Sequence, residues 1–150
     1  MIRFFSEEVK FVFNNKRLVS NWLNNIAKKN GYIIRYLNII FCSDEYLLNI
    51  NKQYLGHDYY TDIITFDNSF SEDNITKTKI VNGDIFISID TVRCNGQEYG
   101  EGFDNELYRV IAHGLLHLIG FNDINDNLQQ QMTEQEDLSL KILSDMKLMS

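Results

Sequence analysis

His113-Gly-Leu-Leu-His117-Leu-Ile-Gly120-Phe-Asn-Asp123 is the stretch on which the reading of this chain turns. Residues four apart on an α-helix lie on one face a turn apart, so both imidazoles can point at a single ion. Leu107, Val110, Ile111, Leu115, Leu118 and Ile119 give that helix enough apolar neighbours to be at least half buried. Gly120 can adopt the left-handed backbone that ends a helix. The chain then reverses, and the Asp123 carboxylate can swing back toward both rings. Two ring nitrogens and a carboxylate oxygen make three metal ligands, and a tetrahedral ion would keep its fourth position for an activated water. The competing reading is two histidines hydrogen-bonded to backbone or solvent, with Asp123 capping the next helix. Asp126-Asn-Leu-Gln129 fits a capping box and competes for that cap, which frees Asp123. Gly114 stands where HExxH zinc peptidases carry their general base, which argues against peptidase chemistry.

Working outward, the helix is expected over Asn105 to Ile119, with a terminal helix over Asn127 to Leu148 carrying Leu128, Met132, Ile142 and Met146. Leu18, Trp22 and Ile26 recur every four residues, a buried stripe opened by Asn14 or Asn15 and stopped at Asn30-Gly31. Ser43 can cap a helix carrying Leu47, Leu48 and Tyr54 that ends at Gly56. Strands are expected at Val9 to Phe13, Ile33 to Cys42, Asp62 to Asp67 and Asp84 to Asp90. Asn68 to Asn82 reads as a surface loop or frayed hairpin, with Lys77 and Lys79 keeping it soluble. Early strands mixed with helices, then helices to the end, predict an α+β fold: a small mixed sheet of about four strands packed with helices. Residues 1–150 are expected to form one domain.

The 150 residues are 44% hydrophobic and 13% aromatic, which excludes disorder as a description of the whole chain. Arg35, Asn38 and Asp44 interrupt the apolar runs, so no membrane-spanning helix is expected. Met1 to Glu8 turns acidic before a signal-peptide segment could develop, which makes the cytoplasm the expected compartment. Cys42 and Cys94 are then expected as free thiols, Cys42 buried. Twenty-one acidic against fourteen basic residues leave a charge of −7. Such a surface does not attract phosphate backbones, so nucleic-acid binding requires a local basic groove or a bound cation. Arg35, Lys28, Lys29, Arg93 and Arg109 are candidates for that groove, although each alone also reads as a solvated surface residue.

His113-Gly-Leu-Leu-His117-Leu-Ile-Gly120-Phe121 resembles the HGxLHLxGY signature of the YbeY family, the bacterial metal-dependent endoribonucleases of ribosomal RNA maturation. Leu48-Asn49, Tyr54, Thr61-Asp62, Thr65-Phe66 and Gly83-Asp84-Ile85-Phe86-Ile87-Ser88 are similar to that family's LN..Y, TDVLSF and GDIxIS segments, in the same order. The resemblance covers roughly Ile39 to Leu143. It implies a zincin-like helix with one Zn2+, or another divalent ion, held by His113, His117 and Asp123. It also implies cleavage of single-stranded RNA, in 16S ribosomal RNA processing and ribosome quality control, with the small ribosomal subunit as partner. Two positions depart from the family. Asp123 stands where its commonest motif has a third histidine, which leaves the site less positive by one charge. Leu55 stands where an arginine attributed to substrate handling usually follows the tyrosine. His57, just beyond, is the candidate substitute, although it reads more readily as a solvated loop histidine; Arg35 is a further candidate for substrate binding, and Asp84 enters as a candidate only through the resemblance. The rival to the nuclease is a ribosome-assembly factor with a structural metal and little cleavage.

Overall fold

The computed structural model describes residues 1–69 and 79–149. Among these, four strands form one mixed sheet in the order β1-β2-β4-β3: β1 Ile2–Glu7, β2 Tyr32–Cys42, β3 Ile63–Asp67 and β4 Lys79–Ser88. β1 and β4 flank β2 in parallel, and β3 runs antiparallel on the outer edge of β4. The helices are α1 Lys16–Lys29, α2 Asp44–Leu55, α3 Ile89–Glu98, α4 Phe103–Leu118 and α5 Asp126–Met149. This is the expected α+β architecture.

Alternation along the strands divides the core between two faces. Ile39, Phe41, Ile85 and Ile87 join the large cluster with Trp22 and Leu23 of α1, Ile111 and Leu115 of α4 and Met132 of α5. Cys42, Ile64, Phe66 and Phe86 point the other way, onto Leu47 and Ile50 of α2. Trp22 is fully buried, and its indole N–H donates to the Ser139 carbonyl of α5 at 2.7 Å. Ser43 caps α2 by accepting from the Tyr46 N–H, and Gly56, at φ +67°, closes it, both as expected. Asn15 stands at the N-cap of α1, but its amide donates to the Tyr108 hydroxyl instead of capping.

The expected strand at Val9 to Phe13 is not a strand. β1 lies before it, at Ile2–Glu7, paired with β2 from Ile2↔Leu37 to Glu7↔Cys42. Glu8, at φ +54°, turns the chain out of the sheet. Phe11 and Phe13 then pack on the Phe41 ring at 5.1 and 5.2 Å, so their alternation reflects an aromatic plug rather than a ladder. β4 begins at Lys79, which removes that residue and its followers from the expected loop, and Lys79 lies over the Tyr32 ring. Lys77 falls outside the described residues.

The two thiols differ sharply. Cys42 is fully buried, and burial foremost, with the Asp44 charge adding to it, pushes its pKa up to about 12. Cys94 is exposed. A thiolate reagent added to the folded protein at pH 8 is therefore expected to modify one cysteine rapidly, Cys94, and to reach the second only on unfolding. Mass spectrometry of the modified peptides checks this.

Candidate metal centre

α4 carries the two histidines where it meets the sheet edge. A Cβ added at Gly114 would stand 2.9 Å from both the Ile63 and the Ile85 Cδ1 atoms, so only glycine lets the helix approach β3 and β4 this closely. His113, beside Gly114 in the chain, and His117, one turn on, flank this contact on the side of α4 that turns toward α5 and Asp123. Beyond α4 the Phe121 N–H bonds the Leu116 carbonyl and the Gly120 N–H bonds the His117 carbonyl, the paired bonds of a Schellman turn. Gly120 supplies the positive φ, +107°, that this turn requires. The reversal brings Asp123 back over the rings.

The His113 and His117 Nε2 atoms lie 2.9 Å apart. Asp123 places Oδ2 3.8 Å from the His113 Nε2 and Oδ1 3.8 Å from the His117 Nε2. One ligand atom from each of the three residues falls within 4.8 Å of the others, the one group of this kind among the described residues. Metal–nitrogen bonds of roughly 2.0–2.1 Å in a tetrahedral site put neighbouring ligands a little over 3 Å apart, so these separations fit an ion with small shifts. Asp123 also proves free for this duty, because the α5 cap is Asn125, whose side chain accepts from the Leu128 N–H at 2.9 Å. Asp126, expected as that cap, is the first residue of the helix instead.

The residue that sequence reasoning missed is Glu136. From the buried stripe of α5 its Oε2 meets His113 Nδ1 at 2.6 Å, while its Oε1 accepts from Arg109 Nη1 at 3.0 Å. Arg109 also donates to Asp137 at 2.8 Å. A carboxylate on Nδ1 fixes the tautomer that leaves the Nε2 lone pair for a metal. Burial lowers the pKa of His113, but the hydrogen bond and charge of Glu136 outweigh it and hold the ring above the usual imidazole range. Burial, then the neighbouring His113, holds His117 below it. Glu136→Ala is expected to weaken metal affinity about 10–100-fold. It should also lower the stability of the metal-free protein by about 1–3 kcal/mol, since Arg109 keeps Asp137 but loses its buried partner. Chelator competition and urea titration measure the two effects.

The remaining candidates lie elsewhere. Arg109 lines no groove of free cations, being committed to Glu136 and Asp137, and Arg93 sits over the Phe103 ring. Asp84 accepts from the Asn38 and Asn68 amides and lines a hollow with Tyr46 and Phe86 on the α2 face, across the sheet from α4. His57 is exposed, stacked on Tyr59 and hydrogen-bonded to its hydroxyl. Arg35 lies at the irregularity of β2 between Ile34 and Tyr36, and its carbonyl accepts from the N-terminal amine. Neither His57 nor Arg35 joins the ligand group. Lys28 and Lys29 end α1. No helix among the described residues is long and apolar enough to cross a membrane.

The family model described as endoribonuclease YbeY matches residues 2–144. The chain belongs to the YbeY family. The YbeY endoribonuclease of Cytophaga hutchinsonii is 49% identical over 141 residues, which span 94% of each chain. That of Parabacteroides distasonis is 42% identical over 95% of each. The solution structure of TM1509 from Thermotoga maritima is similar with a TM-score of 0.62 and 27% identity, covering 95% of this chain and 89% of that one. YbeY membership accounts for the His-Gly-Leu-Leu-His stretch and carries metal dependence with it, consistent with the three converging ligands.

Proposed function

We propose that this chain is an endoribonuclease that cuts single-stranded RNA with the help of one zinc ion. The proposed setting is 16S ribosomal RNA maturation and ribosome quality control, in the cytoplasm and with the small ribosomal subunit as partner. One observation carries the reading: His113, His117 and Asp123 converge in a chain whose relatives are named endoribonucleases. Two imidazoles and a carboxylate form a donor set that suits zinc and leaves a position open for catalysis. When bound, the ion supplies Lewis-acid polarisation and neutralises charge at a phosphodiester, which answers the −7 charge of the chain.

The chain's own residues supply position. Glu136 accepts a hydrogen bond from the Nδ1–H of His113 and so leaves its Nε2 lone pair for the ion, and Arg109 steadies Glu136. The turn at Gly120 returns Asp123 to the rings. Ile63 and Ile85 close the sheet side of α4 against water at Gly114.

Leu55 favours a second reading. It ends α2 with 44% of its surface exposed and brings no charge where the family resemblance leads one to expect an arginine. Leucine cannot make the bidentate contact to phosphate that an arginine makes. An assembly factor with a structural metal would tolerate that loss. Incubating single-stranded RNA with the zinc-loaded protein and with its His113→Ala variant separates the two. The nuclease reading expects cleavage at least about a hundredfold faster in the parent. Equal rates would betray a contaminating nuclease and favour the assembly role.

A further inference from the structure

Beside His113, residues of α3, α4 and α5 and the start of β3 line a cavity of about 180 Å³. Its walls include Asp62, Asn95, Tyr99 and Glu106, together with Glu136 and the flank of His113. Glu106 is the unusual member. It sits seven residues before His113, two turns up the same face of α4, and only 6% of its surface is exposed. Its carboxylate has no hydrogen-bond donor or ion-pair partner among the described residues. So little of Glu106 meets water that its charge favours a cation beside it.

Asp62 faces the same space, just ahead of β3. Burial, and then the charge of Asp62, raises the pKa of Glu106, while burial raises that of Asp62 despite the opposing pull of His113. The nearby Arg109 relieves neither with an ion pair, since its guanidinium is held by Glu136 and Asp137. A wall with two carboxylates, an amide and a phenol offers hard oxygen donors.

We infer that this cavity is a second cation site, in which Asp62 and Glu106 hold a hydrated divalent ion of the magnesium type beside the His113–His117–Asp123 centre. The choice of ion follows from what the cavity lacks. No three carboxylates there bring their oxygens within 4.8 Å of one another, so the protein does not grip the ion on three sides. Calcium prefers six to eight oxygen ligands and zinc prefers nitrogen or sulfur, whereas magnesium keeps several waters and needs only one or two carboxylates. The volume leaves room for those waters. Two cations beside His113 would place positive charge along the path of a polyanion in an otherwise acidic protein. The site stands on its own side chains and does not require zinc at the first centre.

Manganese, a paramagnetic substitute for magnesium, reads the site directly. Titrated into the zinc-loaded full chain and followed by the electron paramagnetic resonance of free Mn2+, it is expected to bind once per chain, to be displaced by Mg2+, and to leave the zinc content unchanged. Glu106→Gln should weaken that binding by at least about tenfold with zinc still at one equivalent. Asp62→Asn is the second variant, should the first fail to fold, and should do the same. His117→Ala should lose zinc and keep Mn2+. Wild-type protein that binds no Mn2+ at millimolar concentration, or Glu106→Gln and Asp62→Asn proteins that bind it as tightly as the parent, would overturn the inference. Loss of both ions in His117→Ala would place the Mn2+ at the histidines and overturn it equally.

Discussion

His117→Ala protein is expected to purify with less than about a tenth of an equivalent of zinc, against one per chain in the parent, and to cleave RNA no faster than background. The expectation rests on how few ligands the centre has. With three protein donors, losing one leaves a His–Asp pair whose affinity falls by orders of magnitude, because two ligands neither enclose the ion nor repay its dehydration. His117 is the cleaner choice of the two histidines. His113 also anchors Glu136, so its removal disturbs α5 as well, whereas His117 meets, among the described residues, His113, the Phe121 backbone and, farther off, Asp123. His117 is held below the usual imidazole range, so it offers a neutral nitrogen at physiological pH. Its side chain remains 28% exposed, while Leu116 and Leu118 beside it carry the core, so the fold should survive. Elemental analysis of the two proteins, with circular dichroism as the control for folding, gives the answer. Equal zinc in both would remove the centre from where we place it.

The sequence was most legible where structure is set locally. α2 begins at a Ser that caps it and ends at a Gly in the left-handed region, and both signals lie within the helix's own residues. The same holds for α4 and its Gly120 turn, so the three residues that converge beyond it are legible from spacing alone. β1 was illegible for the opposite reason. Its six residues become a strand by pairing with β2, some thirty-five positions away, and the stronger alternation at Val9 to Phe13 drew the reading past it. Asn125 and Asp126 are both good caps by type, and only the fold decides that the side chain of Asn125 reaches the Leu128 N–H.

Glu136 and Glu106 were missed although each left a trace. Stepping by fours along α5 from Leu128 through Met132 arrives at Glu136, a charge on the apolar stripe, where a buried partner has to be found. Glu106 lies on the face of α4 that carries His113. Spacing could have shown that both sit on histidine-bearing or buried faces. What spacing could not show is that α5 crosses α4 at His113, because that depends on the packing of Trp22 and Ser139 across a third helix.

Gly114→Glu, the change that would write the peptidase motif HExxH into this chain, is expected to lower stability by more than about 3 kcal/mol and to yield no peptidase. In sequence the position seemed to lack a catalytic base, yet in the fold it faces the sheet and not the metal. Even a methyl group there would press on the Cδ1 atoms of Ile63 and Ile85 at 2.9 Å, and Ile85 is fully buried. Gly114→Ala separates the contributions. Replacing a mid-helix glycine by alanine gains about 1 kcal/mol of helix propensity, against about 1–3 kcal/mol for overpacking, so a net loss of up to about 2 kcal/mol is expected. Glutamate gains slightly less propensity and adds a carboxylate buried between two isoleucines, more than a turn of their Cδ1 ends can make room for, so α4 is expected to lift from β3 and β4. That movement would carry His113 away from Glu136 on α5, so zinc affinity should fall together with stability. Urea titration of the metal-free variants and chelator competition on the loaded ones read the two effects. A Gly114→Glu protein as stable as the parent would show that the helix does not approach the sheet as closely as the two isoleucine contacts require.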